Sequence, residues 1–400
     1  MTAIYIKANK DIKRQEEMNR TKYFICPICG NKEEKFVGYR KEKPYCRKCI
    51  TFRGQEVTNN YVPNDNADYA LHYELSNDQK RLSKQLLNNY ISGLNTLVKA
   101  VCGAGKTEIS IEVIKYAIEH HQKVGFAIPR KDVVRELYFR FKSFFPNNKI
   151  VSVYGGNTRR LQGDLICLTT HQLFRYEKYF DLLIVDEIDA FPYNGNDVLE
   201  AFLKRSIKGK LIMMSATPSE EVLKKFSSRG HRIVTLDTRF HLQPLPVPTA
   251  IIQKGLMKYY CLARELRRFL NENKSVFVFT PTIDICEQTY NVLKILFKNI
   301  SFVHSKCTDR SERIESFRNG DIQTLVTTSV LERGVTVKNL QVIVFKADHP
   351  LYTSQALIQI SGRVGRKKDA PYGEVIFIGD KQTNEMVECI NEIKRANKAL

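Results

Sequence analysis

The residues best placed by type and spacing to do chemistry lie in AVCGAGKTE, Ala100–Glu108. Gly103 and Gly105, with Ala104 between them, allow a tight turn that points successive N–H groups into one concavity. Such a concavity at a helix N-terminus binds phosphate. Lys106 is then placed to reach the β/γ-phosphates of a nucleoside triphosphate, and the Thr107 hydroxyl to hold Mg²⁺. Ala100 stands where the strict pattern has its first glycine. The run Thr96–Ala100 leads in as a strand. Ile109, Val113, Ile114, Ala117 and Ile118 share one face of a helix leading out. Strand, turn and helix together make this a P-loop.

Eighty residues after Lys106, the apolar run LLIVDEID (Leu182–Asp189) ends in adjacent acids. Ligands of open α/β sheets sit at the carboxyl ends of strands. There Asp186 would hold Mg²⁺ through water, and Glu187 would orient or deprotonate the attacking water. A second constellation lies near the front. Cys26 and Cys29 are spaced C-x₂-C, as are Cys46 and Cys49, with sixteen residues between the pairs. That spacing suits four thiolates around Zn²⁺. With few apolar residues nearby, metal binding is expected to supply the folding free energy. Phe24, Phe36, Tyr39 and Tyr45 alternate with lysines and arginines there. This suits stacking on a single nucleic-acid strand, or simple packing of a small ribbon.

The elements that must position these residues follow from composition and patterning. The chain has 400 residues, enough for two or three domains. Lys plus Arg number 63 against 43 acids, a net charge of +20. That excess attracts a polyanion, either nucleic acid or an anionic membrane surface. No stretch is long and apolar enough to span a bilayer, and the N-terminus lacks a signal-peptide core. The chain is therefore expected in the cytosol. The six remaining cysteines, Cys102, Cys167, Cys261, Cys286, Cys307 and Cys389, read as small buried hydrophobes.

Residues 1–21 read as a flexible basic lead-in, 22–54 as the four-cysteine ribbon, and 55–74 as an Asn/Asp-rich linker. Ser76 is a candidate N-cap with Gln79 three residues on. Gln79 could instead turn its amide to an adenine edge. From residue 75 to 238, apolar strand candidates alternate with helices: 123–128, 149–154, 165–170, 182–187, 210–216 and 231–236. HLQPLPVPT, His241–Thr249, has three prolines in five residues and reads as a stiff connector over 239–250. The alternation then resumes over 251–400 without a second P-loop. The fold class is α/β: two tandem doubly wound domains preceded by a small zinc ribbon.

The motifs together resemble helicase superfamily 2, in family order over roughly 75–400. AVCGAGKTE matches motif I, AIPRKD (Ala127–Asp132) Ia, LTTHQ (Leu168–Gln172) Ib, DEID II and SAT (Ser215–Thr217) III. VFVFTPT resembles IV, TTSVLERGVTV (Thr327–Val337) V and QISGRVGR (Gln359–Arg366) VI. The resemblance implies two RecA-like lobes with ATP between them and a strand across their tops. It implies Gln79 and Gly334 at the nucleotide, and Ser215 and Thr217 as couplers of the two sites. Arg130, Thr170, Thr280 and Thr328 are implied phosphate-backbone contacts. Arg363 and Arg366, three residues apart, would share a helix face and meet the γ-phosphate, Arg366 as the finger. With the four-cysteine ribbon, the set resembles the ComFA family of late-competence ATPases, related to the primosomal helicase PriA. That likeness implies ATP-driven entry of single-stranded DNA during natural competence. It also implies a membrane DNA-uptake channel and a phosphoribosyltransferase-like competence protein as partners, a possible homo-oligomer, and a place at the inner face of the membrane through partners. A PriA-like replication-restart helicase, an RNA helicase and a zinc-dependent recruitment module are the rival readings.

Overall fold

The computed structural model describes residues 24–52, 54–71, 73–101, 103–187, 196–236, 243–328, 337–366 and 369–398. The lead-in 1–21, Cys102, the last two residues of DEID and most of TTSVLERGVTV, Gly334 included, lie outside the described residues.

The cysteine pairs flank an antiparallel ribbon, β1 (Val37–Arg40) and β2 (Lys43–Cys46), in register from Val37–Cys46 to Arg40–Lys43. Before it, the first pair forms a knuckle: Gly30 N donates to Cys26 O at 2.8 Å, and Cys26 N to Asn31 O at 3.0 Å. The ribbon does not stand on metal alone. Cys26, Cys46 and Cys49 join the same apolar cluster as Leu168, Phe174, Val185 and Phe202, with Phe24, Ile28, Phe52 and Val57 packed on it. A ribbon too small to bury its own core thus borrows its neighbour's. Phe24 packs inward, and the Lys35 and Lys48 ammonium groups sit 5.1 and 5.3 Å from the Phe36 centroid. Packing accounts for the Phe24 ring.

The next strands are β3 (Asn95–Ala100), β4 (Val124–Ile128), β5 (Ile150–Val153), β6 (Leu165–Thr169), β7 (Phe180–Asp186), β8 (Ile207–Ser215) and β9 (His231–Leu236). They form one sheet in the order β5-β6-β4-β7-β8-β3-β9. The pairs among β4 to β8 are parallel. Every residue of β4 and β6 is buried, as strands covered on both faces require. The helix Lys131–Phe144 supplies part of that cover through Val134, Leu137, Phe141 and Phe144, a three-to-four spacing that makes one apolar stripe.

The later strands are β10 (Thr249–Ile252), β11 (Ser275–Phe279), β12 (Ile300–Val303), β13 (Thr324–Thr327), β14 (Leu340–Phe345) and β15 (Val375–Gly379). They lie in the order β10-β15-β14-β11-β13-β12, and every adjacent pair is parallel. Alternate residues feed two cores. Phe277, Phe279, Val342, Val344 and Phe377 enter one, while Val276, Val278, Ile343, Phe345 and Ile376 enter the other. A period of two with apolar residues at both phases is what a doubly covered sheet demands.

The chain divides into two compact units. One holds Met1–Tyr73, Ser83–Val98 and Ser110–Ile233; the other holds Glu74–Leu82, Lys99–Ile109 and Val234–Leu400. Two segments expected as connectors are pinned to their units. In the first, buried Asp164 accepts from Tyr61 Oη at 2.8 Å, Asn64 N at 2.9 Å, Asn148 Nδ2 at 3.2 Å and Lys149 N at 2.8 Å. The Asn/Asp-rich stretch is therefore a strap along the unit. In the second, Leu245 is buried between the prolines, and Asn397 brackets its backbone: Leu245 N donates to Asn397 Oδ1 and Asn397 Nδ2 to Leu245 O, both at 2.8 Å. Proline leaves few backbone donors, so one side-chain amide satisfies what remains.

Replacing Asp164 with Ala strands several buried donors at once. It should lower the unfolding free energy by about 3 kcal/mol and speed proteolysis within 55–70, measured by denaturant melts and limited digestion.

Candidate nucleotide and metal sites

The Gly-rich turn takes the shape its residues require. Gly103 and Gly105 have φ of +84° and +77°, in the left-handed region that side chains resist. Gly105 has a second constraint: a Cβ there would lie 2.3 Å from Gln79 Nε2. Ala104 is buried, and its N–H donates to Val101 O at 3.2 Å. Lys106 opens a short helix, Lys106–Ile109, which continues after Ser110 as Ile111–Glu119. Lys106 is half-buried, and Thr107 is 7 % exposed. Ile109, Val113, Ile114, Ala117 and Ile118 are all buried, as their spacing requires.

Gln79 fills the capping role. Ser76 N donates to Gln79 Oε1 at 3.0 Å and Gln79 N to Ser76 Oγ at 3.3 Å, the reciprocal pair of a capping box. The same amide does a second job that the sequence did not signal: Gln79 Nε2 donates to Ala104 O at 2.9 Å. The helix start and the phosphate turn are thus joined through one buried side chain.

Asp186 ends β7 at its carboxyl edge and is buried. Its Oδ1 accepts from Glu187 N at 2.8 Å. Glu187 has φ of +59°, an uncommon backbone state for a residue with a Cβ, and such states cluster where function fixes the chain. At the end of β8, Ser215 Oγ accepts from Thr217 N at 3.0 Å, a local turn that fixes both hydroxyls relative to the strand. Because β4, β6, β7 and β8 are parallel, Arg130, Thr170, Asp186–Glu187 and Ser215–Thr217 all follow carboxyl ends on one edge.

The two arginines correct the sequence expectation. The helix Ser354–Ser361 stops before Gly362, and Gly365 has φ of +67°, so Arg363 and Arg366 lie on a turn rather than on a helix face. They differ in environment. Arg363 is 1 % exposed, while Arg366 is half-buried with its Nε donating to Gly362 O at 3.0 Å. Gln359 is buried in the last helical turn.

Of the four expected phosphate-backbone residues, Arg130 is half-exposed at the end of β4. Thr170, Thr280 and Thr328 are buried at 0, 0 and 7 % exposure. Thr280 Oγ1 donates to Thr327 O at 3.1 Å, and Thr170 Oγ1 is buried without a hydrogen-bond partner among the described residues.

The four cysteines converge. Cys26 and Cys49 sulfurs are 3.6 Å apart, as are those of Cys29 and Cys46, and all four lie within 4.8 Å of one another. Bonded sulfurs would be about 2.05 Å apart, whereas Zn–S bonds of about 2.3 Å in a tetrahedron put sulfurs near 3.8 Å. The donor set therefore fits zinc. Burial pushes the Cys29 thiol up to about 11 and raises Cys49 further. Burial opposes ionisation of Cys26 too, but the Cys29 and Ile28 N–H groups outweigh it and lower that thiol. Four sulfurs this close can all be thiolate only with a cation among them. Of the other cysteines, Cys167, Cys261, Cys286 and Cys389 are buried and Cys307 is half-exposed.

Known families and folds match this arrangement. A profile described as "Type III restriction enzyme, res subunit" covers residues 72–220, and one described as "Helicase conserved C-terminal domain" covers 257–368. The chain is 32 % identical to the competence protein ComFA of Bacillus subtilis strain 168, over 98 % of this chain and 89 % of that one. It is 35 % identical to the competence protein ComFA of Streptococcus pneumoniae strain R6, over 88 and 86 %. Among solved structures, Saccharomyces cerevisiae Dbp5 bound to RNA and ADP BeF3 superposes with a TM-score of 0.65 at 17 % identity, covering 82 % of this chain and 89 % of that one.

Lys106→Ala should abolish ATP hydrolysis while leaving bound zinc at about one per chain, read by phosphate release and metal analysis. Gly105→Ala forces a Cβ into the Gln79 amide and should lower nucleotide affinity at least tenfold, a loss of about 1.4 kcal/mol, by titration with a fluorescent ATP analogue. Cys46→Ser should empty the zinc site yet leave hydrolysis without nucleic acid standing.

Proposed function

The chain belongs to the competence protein ComFA family, and from that premise we propose that it is the ATP-driven motor that draws single-stranded DNA into the cytosol during natural transformation. It is an ATP-hydrolysing superfamily 2 helicase with two RecA-like domains. The observation carrying the proposal is the single carboxyl edge that gathers Arg130, Thr170, Asp186–Glu187 and Ser215–Thr217. An edge holding both phosphate chemistry and strand contacts lets hydrolysis at one be felt at the other over a few residues.

In this reading the turn around Gly103, Ala104 and Gly105 cradles the phosphates, and Lys106 neutralises β and γ. Thr107 and Asp186 would hold Mg²⁺, and a metal bound there would supply charge stabilisation to the phosphoryl group. Glu187 orients the attacking water, and Arg363 and Arg366 are assigned to the γ-phosphate. Gln79 positions Ala104 through its amide. Arg130 and the backbones at Thr170, Thr280 and Thr328 track a phosphate chain without reading bases. The excess of bases favours a polyanion, and a strand is a better match than a membrane for an edge built on helicase motifs. No helix among the described residues is long and apolar enough to cross a membrane. Attachment to the uptake channel, and to a phosphoribosyltransferase-like competence protein, would then come through contacts with those partners.

The test is ATP turnover against single-stranded DNA, duplex, fork and RNA. Single-stranded DNA should stimulate most, with little dependence on sequence. Stimulation should weaken from 50 to 200 mM salt by a factor of at least about ten if several phosphates are neutralised. A stronger response to RNA or to forks would contradict the uptake role.

A further inference from the structure

The turn that carries the fourth cysteine continues into residues that the proposed machinery does not use. Phe52 N donates to Cys49 O at 2.9 Å, so the knuckle that places the last sulfur also aims the Phe52 ring. That ring stacks on His171 with centroids 5.8 Å apart and planes 25° apart. It meets Phe202 edge-on at 5.1 Å and Phe174 at 6.4 Å. His171 and Phe174 belong to the 3₁₀ turn Thr170–Arg175, which follows β6; Phe202 belongs to the helix Asp197–Ser206. Just beyond, the Gly54 backbone closes on the same turn, where a Cβ would lie 2.3 Å from Arg175 Nη1. Buried Arg175 donates from Nη1 to Gln55 O at 2.9 Å and from Nε to Gln172 Oε1 at 2.7 Å, and its carbonyl accepts from Val57 N at 2.9 Å.

A short 3₁₀ turn has poorer internal hydrogen bonds than an α-helix and depends on what packs against it. Here the helix Asp197–Ser206 covers one side, with Phe202 against Phe174 and Arg205 Nη1 donating to Phe174 O at 2.7 Å, and Phe52 with the backbone of 54–57 covers another. The turn begins at Thr170, whose buried hydroxyl has no hydrogen-bond partner among the described residues.

We infer that Phe52 is a positioning residue through which the metal-anchored knuckle sets the conformation of the turn Thr170–Arg175. The ribbon then acts on nucleic acid through this turn rather than only by touching it. The inference rests on the reading that the backbone at Thr170 tracks the strand. Linkage makes the effect reciprocal: a strand that binds more tightly when the metal orders the turn must tighten metal binding by the same factor.

The experiment uses the full zinc-loaded chain as wild type, Phe52→Ala and Phe52→Leu. Four quantities are measured: zinc content, amide hydrogen exchange over 170–175, the oligo-dT concentration giving half-maximal ATP turnover, and the zinc affinity from equilibrium competition with a chromogenic chelator, with and without oligo-dT. Phe52→Ala should keep its zinc and its turnover without DNA, yet exchange faster over 170–175. It should need about tenfold more oligo-dT, the size of losing one aromatic cluster contact, and lose the tightening of zinc binding by oligo-dT. Phe52→Leu should recover most of each. Unchanged exchange over 170–175 in Phe52→Ala would overturn the inference, as would a tightening of zinc binding by oligo-dT that survives the substitution. Should oligo-dT fail to bind even the wild type, the strand reading fails on its own. The exchange measurement still decides the positioning role, faster exchange supporting it and equal exchange ending it.

Discussion

Strands buried on both faces have only their ends left to meet a ligand, and this constraint organises the whole molecule. In β4 and β6 every residue is buried, so no side chain along their length can reach solvent. Parallel pairing then gathers the carboxyl ends on one edge, where backbone N–H groups and short polar side chains accumulate. Arg130, Thr170, Asp186, Glu187, Ser215 and Thr217 stand within two residues of strand ends. The chemistry is thus a consequence of sheet direction as much as of residue type.

Around the phosphate turn, the same economy recurs at the scale of one amide. Gln79 closes the capping box with Ser76 and holds the Ala104 carbonyl, so a helix start, a buried side chain and the Gly-rich turn form one hydrogen-bonded unit. Gly105 is needed twice over, for its positive φ and for the space beside that amide. A turn preorganised in this way would need little reordering to take up a phosphate, which is where binding free energy is otherwise lost. The ribbon follows a similar logic. Its sulfurs are spaced for a metal, but its apolar residues are shared with the unit beneath, so a metal bound there and this packing would stabilise the same turn.

Much of this was legible in the residue order because the signals were local. Apolar runs located the strands to within a residue or two at most ends, C-x₂-C pairs located the sulfur cluster, and Ser76 with Gln79 located a helix start. Long-range and conformational features were not legible. Nothing in QISGRVGR shows that Gly365 would adopt φ of +67° and take Arg363 and Arg366 off a common helix face. Thr170 and Thr280 gave no sign that they would be buried, since threonine is common on both sides of a strand end. The strap was hidden for a related reason. Polar Asn and Asp runs look mobile, and what pins them is distant in sequence: Asp164, with Asn148 at Asn66 O and Gln162 at Thr58 O.

The central claim is that ATP hydrolysis moves this chain along a single strand. The direct measurement is the time course of dissociation from single-stranded DNA of increasing length after ATP is added with a trap for free protein. A lag that grows in proportion to strand length, and disappears in Lys106→Ala, is the predicted result. A dissociation rate independent of length would mean that the protein hydrolyses ATP in place, and would contradict the account.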